Sequence, residues 1–326
     1  MQLAVLLSSA LGLPALHALA AQGAVAGVAV PRAPHAPTEP DQLAQAAAAL
    51  GLPVVRLEQA SLAIDLRDWL AALAPAAVLV FAFPWRVPAA VLALPPHGFL
   101  NVHFAALPGY RGPEPLFWQI RNGETHGAVT VHRMAATFDT GPVLLAEPVA
   151  IGPADTHGLH RTQLAGRGAT VALRLLASLR GEAPALTPQP QDAALARYWP
   201  RPTLADVCVR WEEPALVIDQ LVRATNPWNR GALATLRGQP LRILSTTPHP
   251  AAATGPATPG TVLQADADTG LWVACGQGEA IRLDAVAVEE GYFTGYQLAA
   301  LGIGAGEVLG QQPAPTSAAA AANLSL

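Results

Sequence analysis

AAVLVFAF, residues 76–83, is an unbroken apolar run. Large and small side chains follow one another with no polar alternation, so both faces of such a strand must be covered. That is the pattern of an interior strand in a parallel sheet flanked by helices, and it sets the fold class. The neighbours agree. LAIDLRDWLAAL (62–73) precedes it with helical spacing, and the Pro-punctuated FPWRVPAAVLALPPHG (83–98) follows.

Working towards the N-terminus, QLAVLLSS, LPALHALAAQG and AVAGVAV read as strand, helix and strand. Their lack of a basic leading segment and the breaks at Gly12, Pro14, His17 and Gln22 argue against a signal peptide. PRAPHAPTEP (31–40) is a loop, DQLAQAAAALG (41–51) a helix with Asp41 at its favoured end, and PVVRL a short strand. Beyond residue 98 the pattern predicts a strand, a helix over about 113–122, the strands AVTVHRM and VLLAEPVAI around the loop AATFDTGP, and a helix over about 155–180. The sum is a doubly wound α/β domain.

Residues 181–205 are rich in Pro, Gln and Ala without periodicity and read as a linker or a chain wrapping the surface. Then comes a helix, PALVIDQLVRAT, and five short strands separated by tight turns: GALATL, QPLRIL, GTVLQAD, LWVACG and AIRLDAVAV. These predict a small β-barrel. The expected organisation is a catalytic domain at 1–185, a linker at 186–205, a barrel at 206–310 and a disordered tail at 311–326.

Composition narrows the function classes. Net charge is −4 and all 19 Lys-or-Arg positions are Arg, so no global footprint for nucleic acid exists. Cys208 and Cys275 lie far apart and form neither a zinc motif nor a disulfide framework, which suits a reducing cytoplasm. His157 and His160 lack a third ligand nearby, so no metal is expected. No uninterrupted apolar stretch is suited to a membrane span. No GxGxxG follows the first strand, which removes a dinucleotide dehydrogenase. Nothing in the sequence specifies an oligomeric state.

The chemistry concentrates in GFLNVHFAALPGYRG (98–112). Asn101 and His103 are two apart on a strand and point the same way, near its C-terminal end, where open α/β sheets bind ligands. Burying either without a partner costs a few kcal/mol. An amide donor beside an imidazole suits an oxyanion, and equally a core pair satisfied by backbone. Asp139, in the loop after the next strand, falls beside them, where a carboxylate favours the charged form of His103.

NVHFAALPGYRG, GETHGAVTVHRM and FDTGPVL together resemble the N10-formyltetrahydrofolate-dependent formyltransferases. RYWPRP, LVRATNPWNRGA and PGTVL resemble the smaller C-terminal domain of the methionyl-tRNA and sugar formyltransferases. The resemblance implies a Rossmann-like formyltransferase domain followed by an OB-like β-barrel, and formyl transfer from 10-formyltetrahydrofolate to an amine. It implies that Asn101 and His103 stabilise the oxygen as the formyl carbon becomes tetrahedral. Asp139 then keeps His103 charged and helps move a proton. It places the folate against Phe83, Pro84, Trp85, Arg86 and Val87, with Leu107, Pro108, Ala136, Thr137 and Phe138 opposite. Tyr110 and Arg111 are substrate-binding candidates, although Arg111 also suits a loop-pinning role. Ala105 and Ala106 depart from the Ser-Leu usual after the histidine, which bears on acceptor placement.

Methionyl-tRNA formyltransferases carry a basic loop after the second strand, whereas PRAPHAPTEPDQ holds one Arg. The expected acceptor is therefore a small amine, an amino-sugar nucleotide or an amino acid-like compound. Methionyl-tRNA is the alternative, and a hydrolase or a non-catalytic folate-binding protein lies behind both.

Overall fold

The computed structural model describes residues 1–32, 39–249 and 257–311. The expected tail and most of the loop over 31–40 lie outside them. The chain forms two compact units. The first comprises Met1–Pro115, His126–Ala150 and Arg161–Pro200, and the second Leu116–Thr125, Ile151–His160 and Arg201–Leu326.

The elements begin with β1 (Leu3–Leu7), α1 (Leu13–Ala21), β2 (Val25–Pro31), α2 (Glu39–Ala49), β3 (Val54–Leu57), α3 (Leu62–Leu73) and β4 (Ala77–Phe81). They continue through α4 (Ala89–Leu92), β5 (Phe99–His103), α5 (Pro115–Arg121), β6 (His126–Arg133), β7 (Val143–Ala150) and α6 (His157–Leu179). The sheet runs β3-β2-β1-β4-β5-β6-β7. Strands are parallel as far as β5, and β6 and β7 then run antiparallel. All five residues of β1 and of β4 are buried, as the non-alternating run requires.

The strand order reverses direction at β1, so the carboxyl ends of β1, β4 and β5 frame a crevice. Two local features shape it. Ser9 Oγ caps the turn Ala10–Gly12 by accepting from the Leu11 N–H, which starts the chain back down as α1. At the end of β4, Ala82 adopts a left-handed conformation (φ 55°), which turns the chain into the segment 83–87.

The second unit contains α7 (Leu204–Val207), α8 (Ala215–Thr225), β8 (Ala232–Leu236), β9 (Gln239–His249), β10 (Val262–Asp266), β11 (Gly270–Ala274), β12 (Ala280–Val288), β13 (Gly291–Thr294), α9 (Gly295–Ala300) and β14 (Leu309–Gly310). Its antiparallel sheet runs β10-β11-β12-β9-β8-β14, with β13 beside β12. A Thr261–Val308 bridge brings the two edges together, so the sheet curls towards a barrel. Phe117, Ile120 and Ile151 are buried in this unit's core with Trp211, Leu241 and Ile281. A contiguous division of the chain does not anticipate those early segments, because their apolar residues find cover only among strands much later in sequence.

The Pro- and Gln-rich segment, read as a linker or a chain wrapping the surface, packs on the first unit. Residues up to Pro200 belong to the first unit, and Gln189 pairs through its backbone with Val143. No helix among the described residues is long and apolar enough to cross a membrane.

Candidate active site

Asn101 and His103 lie on one face of β5, as the strand period predicts, and His103 is 7% exposed. Across the ladder Asn101 faces His132 and His103 faces Thr130 on β6. The Asn101 side-chain N–H lies 3.1 Å from His132 Nε2, while His132 Nδ1 lies 2.9 Å from the Arg133 carbonyl. A carbonyl only accepts, so His132 carries its proton on Nδ1 and accepts from Asn101 at Nε2. Asn101 thus keeps one N–H beyond the one used on His132.

Asp139 closes the group. It sits in the loop after β6 with φ 56°, a left-handed conformation that Asp tolerates better than most residues. Its Oδ2 accepts from the Gly112 N–H at 2.9 Å. Its Oδ1 is 3.7 Å from His103 Nδ1 and 3.6 Å from His132 Nε2. The other ring nitrogen of His103, Nε2, is 2.7 Å from the Tyr110 carbonyl and must donate to it. In neutral His103 the bare nitrogen is therefore Nδ1, beside the carboxylate.

The charge states follow from competing effects. Burial lowers the His103 pKa below its ordinary 6.5, although Asp139 and the Tyr110 carbonyl oppose this. Desolvation thus opposes the carboxylate's pull towards the charged form of His103. For Asp139, burial alone would raise the pKa. The His103 charge, the nearby His132 ring and the Gly112 N–H outweigh it and bring the carboxyl down to about 2. At neutral pH the pair is a carboxylate beside a neutral imidazole.

Both shifts make the fold acid-sensitive. Each folded-state pKa lies below its unfolded value, so stability is full above the unfolded value and lost as pH falls. The upper step begins below 6.5 and belongs to His103, and the lower runs from 3.8 towards about 2 and belongs to Asp139. The lower step is worth roughly 2 kcal/mol. Thermal unfolding between pH 7 and pH 2.5 checks this. Asp139→Asn should keep the upper loss and lack the lower, and an unchanged lower step would contradict the assignment.

The residues expected to hold a flat ligand divide into two sets. Pro84, Trp85, Arg86 and Phe138 line an open cleft of about 470 Å³, together with Gln59, Ala60, Leu62, Ala63 and Pro88. Arg86 lies over the Phe138 ring at 5.4 Å, a cation–π arrangement. Phe83 and Val87 instead turn inward and are buried in the core with Trp69 and Val91. Leu107, Pro108, Ala136 and Thr137 do not line the cleft, and Ala136 and Thr137 are exposed. The two smallest side chains there, Ala105 (buried) and Ala106 (exposed), offer no polar group.

Arg111 spends two donors on the segment after α6: Nε and Nη2 reach Gln191 Oε1 at 3.1 and 2.7 Å. The structure thus gives it the loop-pinning place. Tyr110 stacks on Trp199, with ring centroids 5.6 Å apart and planes 12° from parallel. Sequence reasoning missed His132, Gln191 and Trp199. His132 had a usable signal: it sits two residues after Thr130 on a strand adjacent to the Asn101–His103 pair. Trp199 was visible only as part of the RYWPRP motif, and Gln191 carried none, since it lies in an aperiodic stretch. Among the described residues no group of three or more His, Cys, Asp or Glu side chains is placed to hold a metal ion.

Comparisons with known proteins agree with this architecture. A family described as formyl transferase matches residues 25–175, and one described as formyl transferase, C-terminal domain, matches residues 203–292. A methionyl-tRNA formyltransferase of Aromatoleum aromaticum is 41% identical over 67% of this chain and 66% of its own length. One from Anaeromyxobacter dehalogenans is 38% identical over 74% of this chain and 76% of its own length. Among solved structures, an N-formyltransferase from Helicobacter canadensis, in complex with folinic acid and dTDP-3-aminofucose, superposes with a TM-score of 0.64. It is 16% identical and covers 86% of this chain and 98% of its own. WlaRD, a sugar 3N-formyl transferase, gives 0.63 at 14% identity, over 86% of this chain and 96% of its own.

Proposed function

The chain belongs to the formyl transferase family, and on that premise we propose that it moves the formyl group of 10-formyltetrahydrofolate to the amino group of methionyl-tRNA. The observation that carries the acceptor is sequence proximity. Relatives named methionyl-tRNA formyltransferase are 36–41% identical, whereas the sugar formyltransferases above are 14–16% identical and speak for the fold alone. This reverses the order of the two acceptors expected from sequence. The argument against tRNA rested on the residues after β2, and 33–38 lie outside the described residues.

The first unit's residues fit the folate. The cleft offers an aromatic face at Trp85 and Phe138, and a cation at Arg86 for an acidic group. Phe138, on the cleft, is adjacent in the chain to Asp139 of the polar group. When bound, 10-formyltetrahydrofolate supplies an electrophilic formyl carbon on N10. Asn101 directs its spare N–H at the oxygen that gains charge as the amine adds, a stabilisation worth several kcal/mol in a preorganised site. His103, its Nε2 proton committed to Tyr110, takes up at Nδ1 the proton that the amine loses. Asp139 lies beside that nitrogen and stabilises the imidazolium so formed. The proton then passes to the departing nitrogen, leaving His103 neutral again.

The second unit supplies a place for phosphate. Several of its arginines are committed: Arg223 to Asp219, Arg237 to Glu307 and Arg282 to Asp284. Arg230 and Arg242 form no ion pair among the described residues. Arg242 donates to the Asn229 carbonyl at 2.6 Å, which puts it next to Arg230. Burial, and then the charge of Arg230, lower its pKa. Two guanidiniums held together without a carboxylate suit a phosphodiester.

The test is release of tetrahydrofolate from 10-formyltetrahydrofolate, with methionyl-tRNA, with amino-sugar nucleotides and amino acids, and with no acceptor. Acceleration by methionyl-tRNA is expected. Arg230→Ala and Arg242→Ala should each raise KM for the tRNA and flatten its dependence on log salt by about 1. Acceleration by a small amine alone would restore the other acceptor class, and formate release without acceptor would point to a hydrolase.

A further inference from the structure

We propose that Gln191 is a positioning residue for formyl transfer: its side-chain amide buckles the Asp139 loop to the Arg111 loop and so sets the carboxylate against His103. The inference rests on the formyl-transfer reading above. It concerns the segment after α6 that composition reads as a linker.

Every hydrogen-bonding group of the Gln191 amide is used on one of the two loops. Its nitrogen donates to the carbonyl of Asp139 at 2.8 Å and to that of Gly141 at 2.7 Å. Its oxygen accepts from Arg111 Nε and Nη2. The left-handed Asp139 and Gly141 two residues on are thus tied to the arginine that follows the histidine strand. The same two loops meet a second time, at the Gly112 N–H to Asp139 Oδ2 bond.

The buckle is anchored on either side. Gln189 exchanges two backbone hydrogen bonds with Val143, at 2.7 and 2.8 Å. On the other side Arg197 N donates to the Pro108 carbonyl, Arg111 N to the Arg197 carbonyl and Trp199 N to the Arg111 carbonyl, all within 3.0 Å. Trp199 Nε1 donates to the Gly109 carbonyl at 3.1 Å, and its ring stacks on Tyr110. The Tyr110 carbonyl is in turn the group that accepts from His103. Gly112 (φ 117°) passes so close to the Trp199 carbonyl that no Cβ fits there. The segment therefore pairs through backbone with Val143, beyond the Asp139 loop, and with Pro108 and Arg111, beyond the histidine strand, and the Gln191 side chain bonds both loops.

The chemistry requires glutamine. Two carbonyls need donors and a guanidinium needs an acceptor, at one place and one length. Glu would turn an oxygen towards the carbonyls, Met would offer neither function, and Asn is one methylene short.

The closing experiment reads His103 directly, by NMR titration of its imidazole without substrate, alongside the pH profile of kcat. In Gln191→Met the loops loosen, the carboxylate drifts, and its upward pull on His103 weakens. The imidazole pKa should fall further, the acid limb of kcat should move with it, and kcat should drop about tenfold or more, as small misplacements do. Gln191→Leu, which also removes both functions without adding charge, should show the same titration shift, which covers the case in which the methionine variant folds poorly. In an Asp139→Asn background Gln191→Met should have little further effect on kcat, because both act through one group. An unmoved His103 titration in both variants, or a full additional loss of kcat in the Asn background, would overturn the proposal. A shifted titration in a protein that formylates no acceptor would instead remove the formyl-transfer reading and leave the buckle standing.

Discussion

His103→Ala is expected to lower kcat by about 10²–10⁴-fold and to abolish the acid limb of the pH profile. The limb belongs to His103 because its burial pulls the imidazole pKa below 6.5, so the neutral form that accepts a proton predominates at pH 7. Folate binding should change little, since the cleft is lined by Pro84, Trp85, Arg86 and Phe138 and not by His103. Tryptophan fluorescence titration with folate and stopped-time assays from pH 5 to 8.5 separate the two effects. Turnover near the wild-type rate, or a surviving acid limb, would remove His103 from proton transfer.

Asn101→Ala should cost about 10²–10³-fold in kcat, the loss typical of one preorganised donor at a developing oxyanion. Unlike the histidine variant it should leave the pH profile in place. The spare N–H of Asn101 is removed, while His103 and Asp139 keep their separation. One indirect route exists: Asn101 also donates to His132 Nε2, which itself lies 3.6 Å from Asp139. If Asn101 acted only through that chain, the acid limb would shift along with kcat. A drop in kcat with an unshifted limb identifies a donor to substrate oxygen, and a shifted limb identifies a support for Asp139.

Much of this was open to a reader of the sequence alone. The unbroken run at 76–83 and the helical spacing of 62–73 are local patterns, and both elements form where those patterns lie: β4 within the run and α3 over Leu62–Leu73. The period of two in β5 put Asn101 and His103 on one side, since alternation of side chains is a property of the extended backbone. Pro108, Gly109 and Gly141 marked loops, although β5 already stops at His103. The order of the motifs was enough to suggest the family.

Tertiary structure decided the rest, for three physical reasons. The sequence around Asp139 shows an acidic loop but not its partners: Gln191 lies 52 positions away in an aperiodic stretch, and its role exists only once two loops converge on it. The pocket residues 83–87 are consecutive, yet Phe83 and Val87 face the core while Trp85 and Arg86 face the cleft. That split follows from the left-handed turn at Ala82 and from which side of the loop the core occupies. The charge of His103 turned on a balance between an attractive carboxylate, visible in the sequence, and desolvation, which is set by everything packed around the ring. Sequence by itself determined which groups stand at the end of β5. Burial and long-range hydrogen bonds determined their protonation, their spacing and what holds them there.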